Sequence, residues 1–181
     1  MADINNKNYA YNEMMVHIPL CSHINPQSVL VVGQVDEDFK NEVAKHEATA
    51  TYADSFNVEG EFDVILYNGD TLDEQTLAQA QRVLEPKCGI FNCKSSAAVC
   101  DVEALCSDVE NVAKNFWICQ PYKFEDTNAI LASKKFHPQA EIVLQVSDLL
   151  PDCNYYNTEL HNAAFVYPQH MHKALTGIAK R

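Results

Sequence analysis

Three acidic residues closely follow the first strongly apolar run of the chain, at residues 29–33. A strand of this kind in a nucleotide-binding α/β sheet is normally followed by a glycine-rich loop that lets the backbone approach the ligand. Here the run ends at Gly33 and continues as Gln34-Val35-Asp36-Glu37-Asp38. Carboxylates stabilise the positive end of a helix but oppose an anionic phosphate at that end. The stretch therefore predicts the start of a helix, with Asp36 as its N-cap, rather than a phosphate cradle.

A second polar turn, Asn68-Gly69-Asp70, follows the apolar run at residues 62–67. Its composition is typical of an ordinary turn after a strand. An asparagine amide cannot accept a proton at neutral pH, whereas the carboxylate of Asp70 can. From the residues alone we expect an ordinary turn here.

The histidines and cysteines form no recognisable metal-binding or nucleophile motif. His170 and His172 are two residues apart on a predicted helix, where they point to different faces. The seven cysteines are odd in number and include no C-x-x-C pair, which favours buried reduced thiols over disulfides or zinc. Periodicity brings no His–Asp set next to Cys93, Cys100 or Cys106, so a thiol nucleophile is unsupported. We therefore expect no metal site.

The composition is that of an acidic globular protein. The 181 residues are 47% hydrophobic with a formal net charge of −12, which predicts one compact domain over residues 1–181. No apolar stretch approaches the roughly 18 residues of a membrane helix, and the polar N-terminus is unlike a signal peptide, so we expect a cytoplasmic protein. The negative charge excludes nucleic acid and anionic membranes as natural partners. It would attract cations such as polyamines, or it serves solubility alone.

Hydrophobic periodicity predicts an α/β sheet that is mostly parallel, with a C-terminal antiparallel hairpin and helices on both faces. Strands are predicted at residues 29–33, 49–53, 62–67, 89–93, 116–119 and 129–133, the last two joined by a polar loop. Helices are predicted at residues 11–20, 36–46, 73–84 and 101–114 and in two C-terminal segments, with Pro19 closing the first helix. Only eight residues, 54–61, join the second and third strands, which leaves either a minimal loop crossing or an antiparallel return.

Two segments carry a resemblance to a known family. YNEMMVHIPLCSHINPQSVLVVG, at residues 11–33, and YYNTELHNAAFVYPQHMHKAL, at residues 155–175, resemble stretches of the spermidine synthases. Weaker matches between them keep the same order, so the resemblance spans nearly the whole chain. It implies a Rossmann-like fold of the S-adenosylmethionine-methyltransferase type, without the small N-terminal β domain of that family. It also implies aminopropyl transfer from decarboxylated S-adenosylmethionine to putrescine, releasing methylthioadenosine.

The resemblance assigns roles to particular residues. Asp36 matches the aspartate that binds the aminopropyl amine of the donor, and Asp54 matches a second donor-binding aspartate. Tyr11 and His17 match positions near the substrates, and Asn12 replaces a glutamine there. Two more family positions fall at His161, which we expect to be structural, and at Tyr122, a possible remnant of the loop that closes the amine site.

The catalytic and cofactor motifs depart from the family pattern. The family's proton-accepting aspartate is Asn68 here, which leaves Asp70 as the substitute base. The glycine loop has gained side chains, and the acid that holds the ribose is missing.

Two functional hypotheses follow from this comparison. The first is an aminopropyltransferase, weakened by the altered motifs. The second is a catalytically inactive relative that acts as an oligomeric binding or regulatory subunit. A methyltransferase is a third class, which no residue selects. We expect a homodimer that associates through an exposed Tyr11 helix or through the C-terminal hairpin.

Overall fold

The computed structural model describes residues 8–181, which form seven helices and six strands. In chain order the elements are α1 (Tyr9–Ser22), β1 (Ser28–Val32), α2 (Glu37–Ala44), β2 (Thr49–Ala53), β3 (Val64–Tyr67), α3 (Glu74–Val83), β4 (Ile90–Lys94), α4 (Val102–Ala113), β5 (Ile118–Phe124), β6 (Thr127–Ser133), α5 (Leu144–Ser147), α6 (Thr158–Ala164) and α7 (Gln169–Leu175).

The six strands form one sheet in the order β2-β1-β3-β4-β6-β5. Strands β1 to β4 are parallel, and β6 is antiparallel to both β4 and β5. This order confirms the predicted Rossmann-like sheet with its antiparallel hairpin. It also decides the open question about the connection between β2 and β3. Both strands are parallel to β1 and flank it, so the connection is a loop crossing, and its Phe56 is buried in the core.

Helices cover both faces of the sheet because the central strands are apolar on both sides. In β1, Leu30 and Val32 belong to one core cluster, and Val29 and Val31 belong to the other. The first cluster includes apolar residues of α3, α4 and α7, and the second includes those of α1, α2 and α6. This alternation follows from the two-residue period of a strand and produces a three-layer molecule.

Pro19 does not end the first helix as predicted, because α1 continues through it to Ser22. A proline inside a helix has no N–H to donate to the carbonyl four residues earlier, which is that of Met15 here. The side-chain amide of Asn92, on β4, donates to this carbonyl instead, at 3.1 Å. The tertiary contact therefore satisfies the acceptor that the proline leaves open, and the helix can continue.

Helix α1 is also not exposed, contrary to the expectation that it forms an association surface. Twelve of its 14 residues are buried, in contact with α2, β3 and β4. The helix packs on the sheet because its apolar residues surround it rather than forming one stripe.

The C-terminal hairpin is longer than predicted, because strand pairing covers most of the expected polar loop. Strands β5 and β6 pair from Ile118↔Ser133 to Phe124↔Thr127, so Tyr122 lies in a strand and is fully buried instead of closing a ligand site. Strand β5 is at the edge of the sheet, a position that tolerates Pro121. Two backbone hydrogen bonds of 2.9 Å join Cys119 on this strand to Lys180.

No helix within residues 8–181 is long and apolar enough to cross a membrane.

Candidate functional site

The loops that follow β1 and β3 meet at the carboxyl ends of the parallel strands, where ligands bind in open α/β sheets. Gly33 follows β1 with a φ of 103°, which favours glycine. A Cβ atom at this position would lie 2.9 Å from the backbone oxygen of Asn68, which follows β3. The retained glycine therefore permits a close approach between the two loops.

A cleft of about 560 Å³ opens beside this contact, and we call it the strand-end cleft. Its polar lining consists of Asn8, Tyr11, Asn12, Gln34, Asp36, Asn68, Asp70 and Lys94. Four of the predicted site residues therefore come together here, namely Tyr11, Asn12, Asp36 and Asp70. His17 and Asp54 do not line the cleft.

Asn68 connects opposite sides of the cleft through its side-chain amide. The hydroxyl of Tyr11 donates a hydrogen bond to Oδ1 of Asn68, and Nδ2 of Asn68 donates one to the backbone oxygen of Gln34. An amide held at both ends cannot accept a proton from a substrate amine. The side chain of Asn68 is therefore a bridge between α1 and the loop after β1.

Asp36 is the N-cap of α2, as the sequence predicts. Its Oδ1 accepts hydrogen bonds from the backbone N–H of Phe39 at 2.7 Å and from Nδ2 of Asn12 at 3.0 Å. The carboxylate thus stabilises the helix start and still borders the cleft.

Asp54 does not line the cleft, but it is hydrogen-bonded to Gln34, which does. Nε2 of Gln34 donates to Oδ1 of Asp54 at 2.6 Å. A ligand that uses Asp54 must first displace the side chain of Gln34.

Charges of both signs border the cleft. Burial raises the pKa of Tyr11 above its usual value, and the nearby Cys93 and Asp70 raise it further, so the phenol remains a hydrogen-bond donor. The exposed carboxylate of Asp70 lines the same cleft as the Tyr11 hydroxyl. Lys94, at the end of β4, adds a cation that the sequence reasoning missed. Its position directly after a predicted strand was the signal that could have identified it.

A second polar group is buried between α1, α2 and the segment before α6, and we call it the His17 cluster. His17 is fully buried, with Nε2 lying 2.9 Å from Oε2 of Glu42 and Nδ1 lying 2.9 Å from Nε2 of His46. Sγ of Cys153 lies 3.6 Å from the same Nε2 of His17. His17 therefore belongs to this cluster rather than to the cleft, and a substrate-binding role for it stays a prediction.

Burial keeps the histidines of the cluster neutral. It lowers the pKa of His17, although the hydrogen bond and the charge of Glu42 act in the opposite direction. It also lowers the pKa of His46 to about 3, with a further contribution from His17. Sequence reasoning missed this cluster because its members are distant in the chain and form no spaced motif.

Glu13 links α1 to the segment that carries Cys153. Its carboxylate is fully buried and accepts hydrogen bonds from the backbone N–H groups of Asn154, Tyr155 and Tyr156, at 2.9, 2.8 and 2.8 Å. The three bonds satisfy the buried charge and hold this segment against the helix.

His161 lies in a separate buried position, which agrees with the structural role expected for it. Its Nδ1 lies 2.8 Å from the hydroxyl of Tyr156 and its Nε2 lies 3.0 Å from the backbone oxygen of Pro138. Burial lowers the pKa of His161 to about 4, so the ring is neutral.

Comparison with known proteins finds similarity to the spermidine synthases. The model of the spermine/spermidine synthase domain matches residues 8–55, which include the first loop of the cleft. A polyamine aminopropyltransferase of Clostridium kluyveri is 35% identical over 91 residues, which cover 46% of this chain and 28% of that protein. A spermidine synthase of Dictyostelium discoideum is 27% identical over 218 residues, which cover 92% of this chain and 77% of that protein.

The chain is similar to the spermidine synthases in sequence and in fold. The fold agrees, since the crystal structure of spermidine synthase from Thermotoga maritima matches with a TM-score of 0.79 over 93% of this chain and 75% of that one, at 21% identity. A spermidine synthase in complex with the transition state analogue AdoDATO matches equally, at 22% identity. The match to the Clostridium kluyveri protein spans less than a third of that protein's length, so the similarity does not by itself transfer the activity.

Proposed function

We propose that this spermidine synthase relative binds an amine of the polyamine class in the strand-end cleft and transfers an aminopropyl group to it slowly. The supporting observation is the carboxylate of Asp70, which borders the cleft near Tyr11 and Asn68. With Asp36 it offers negative charge to a cationic substrate. Decarboxylated S-adenosylmethionine would be the donor, bound near Asp36 and Asp54.

The reaction requires one proton transfer and one substitution. The neutral amine nitrogen of putrescine attacks the methylene carbon beside the sulfonium, forming a C–N bond. The C–S bond breaks, and its electron pair remains on sulfur as methylthioadenosine leaves. The attacking nitrogen becomes an ammonium group unless it loses a proton, and Asp70 is the carboxylate beside the cleft that accepts it.

The reaction is slow in this proposal because two parts of the usual site are altered. A missing general base costs roughly 10²–10⁴-fold in rate, and Asn68 occupies the position of that base. The side chain of Gln34 also stands where the family has glycine, and it binds Asp54.

A second candidate function is a catalytically inactive binding or regulatory subunit. The two hydrogen bonds of the Asn68 amide favour this candidate, because they give a structural role to the residue at the position of the family's base. In this case the chain acts through association, and the predicted homodimer would use the C-terminal hairpin. Light scattering at high concentration that gives the mass of a monomer would contradict the dimer.

Chromatographic detection of spermidine from putrescine and decarboxylated S-adenosylmethionine tests the first candidate. We expect product above the no-enzyme control, loss of that product in Asp70→Asn, and a rate increase of roughly 10²-fold or more in Asn68→Asp. Glu61→Gln, which removes an exposed carboxylate outside the cleft, is the matched control and should retain the wild-type rate.

The absence of product from the wild type and from Asn68→Asp would instead support the inactive subunit. Methylthioadenosine at micromolar concentration should not shift the melting temperature in either case, because its predicted affinity is weaker than millimolar. A shift of several degrees would show that the loop still holds the adenosyl group.

A further inference from the structure

Three potential metal ligands converge in the His17 cluster. His17 comes from α1, Glu42 from α2, and Cys153 from the segment before α6. Their ligand atoms, Nε2, Oε2 and Sγ, all lie within 4.8 Å of one another. They are the donor types that bind zinc in proteins.

The separation of His17 from Cys153 fits a tetrahedral centre, and the carboxylate of Glu42 must move outward by roughly 0.4 Å to reach the same geometry. Metal–ligand bonds of about 2.0 Å to nitrogen and oxygen and about 2.3 Å to sulfur place neighbouring ligands roughly 3.3–3.6 Å apart. Nε2 of His17 lies 2.9 Å from Oε2 of Glu42 and 3.6 Å from Sγ of Cys153. We propose that His17, Glu42 and Cys153 bind a zinc ion, with water as the fourth ligand.

A cysteine nucleophile is the other chemistry that these residue types perform, and the geometry disfavours it. In a nucleophilic triad the thiol and the carboxylate contact different nitrogens of the histidine. Here both contact Nε2 of His17. One nitrogen that faces both a carboxylate oxygen and a thiol sulfur is the arrangement of a shared ion rather than of a proton relay.

Two buried groups already support the ligands. Nε2 of His46 lies 2.9 Å from Nδ1 of His17 and fixes the orientation of the ring, a role that hydrogen-bond partners perform for most metal-binding histidines. With zinc bound to Nε2, Nδ1 of His17 would carry the proton and donate a hydrogen bond to Nε2 of His46. The carboxylate of Glu13 fixes the three residues after Cys153.

Lys45 is the group that the ion must displace. Its ammonium lies 2.6 Å from Oε2 of Glu42, and 15% of its side chain is exposed. The backbone oxygen of Asp152 is 3.4 Å from the same ammonium, so Lys45 can turn outward toward this second acceptor. Zinc would then replace the lysine as the cationic partner of Glu42.

An acidic groove provides a path to the cluster. This groove of about 300 Å³ is lined by Cys153, Asp148, Asp152 and Glu159. Cys153 is half-buried, whereas His17 behind it is fully buried. The carboxylates of the groove raise the local concentration of cations next to Cys153, the most exposed of the three ligands.

Titration of the full-length, metal-free chain with Co²⁺ tests the proposal, because cobalt bound by a thiolate absorbs in the near ultraviolet. We expect one equivalent to produce this absorption and one equivalent of Zn²⁺ to remove it. Cys153→Ser should abolish the absorption. Glu42→Gln, which keeps the size of the side chain, should weaken Zn²⁺ binding more than the roughly 10–100-fold that a lost supporting contact costs.

Two control variants separate this site from adventitious binding. Cys100→Ser removes an exposed thiol, and His172→Gln removes an exposed histidine of the C-terminal segment; both should bind cobalt as the wild type does. The proposal is overturned if the wild type gives no thiolate absorption, if the absorption survives in Cys153→Ser, or if Glu42→Gln leaves the affinity unchanged. None of these measurements depends on aminopropyl transfer.

Discussion

The strand-end cleft and the His17 cluster use similar polar side chains in opposite ways. In the cleft, Asn68 and Asp36 are each bonded to protein partners, and an open space lies beside them. In the cluster, three ligand atoms converge inside the protein, and further buried groups hold them. The resemblance to the spermidine synthases predicts where the strand-end cleft lies. The His17 cluster, in contrast, is recognised only from the distances between its side-chain atoms. The difference shows that the site expected from a family resemblance need not be the most preorganised polar site of a chain.

The largest expected effect is in the interior, at Glu13. The carboxylate of Glu13 accepts hydrogen bonds from three backbone N–H groups. In Glu13→Gln an amide NH₂ group replaces one carboxylate oxygen, and a donor that faces it loses its acceptor. We expect the free energy of unfolding to fall by about 3 kcal/mol, measured by urea denaturation. Glu61→Gln, at an exposed position, should change it by less than about 0.5 kcal/mol. Equal losses of unfolding free energy in the two variants would contradict a stabilising role for the buried carboxylate of Glu13.

A smaller effect should follow from pH at His161. Its pKa is about 4 in the folded chain, against 6.5 for an unburied histidine, so the unfolded chain binds a proton first as the pH falls. The stabilisation is therefore complete above about pH 6.5 and is lost progressively as the pH falls toward 4. Between pH 7 and pH 5 we expect His161 to account for a loss of about 2 kcal/mol of unfolding free energy.

Comparison of pH dependences isolates this contribution, because other buried histidines titrate in the same direction. The pH dependence of unfolding should be flatter in His161→Gln than in the wild type. It should be unchanged in His170→Gln, whose side chain is exposed. A steeper or identical profile for His161→Gln would contradict a neutral buried ring.

The smallest effect is expected at the cleft, where Asp36 is the cap of a short helix. Asp36→Ala removes the acceptor of the Phe39 N–H and should reduce the free energy of unfolding by about 1 kcal/mol. Asp36→Asn keeps a capping oxygen and should lose only a few tenths of that amount. Thermal and urea unfolding measure both variants. A loss for Asp36→Ala as large as that for Glu13→Gln would remove the distinction between the two regions.

The sequence alone predicts the sheet, most helices and the cap at Asp36, because these depend on local periodicity and on carboxylates at helix starts. The resemblance to the spermidine synthases assigns Tyr11, Asn12, Asp36 and Asp70 to one site, and the structure places all four on the wall of one cleft.

The errors and omissions arise where a distant side chain decides the local structure. Pro19 fails to end α1 because Asn92 takes the carbonyl that it leaves open. The polar loop after Cys119 becomes strand because β6 offers it a complete ladder. The His17 cluster requires residues 17, 42 and 153 to be adjacent, and no spacing rule indicates that. Long-range contacts of this kind are set by packing rather than by local preference.

The pairing of Cys119 with Lys180 has a consequence for self-association. Residues two apart on a strand direct their backbone groups to the same side, so Pro121 also faces the free edge of β5, and it has no N–H to donate. A second copy could not add a strand to this edge without displacing Lys180, and it would then meet an acceptor-only position. Two subunits that meet at the hairpin would therefore pack through side chains, with their sheets remaining separate.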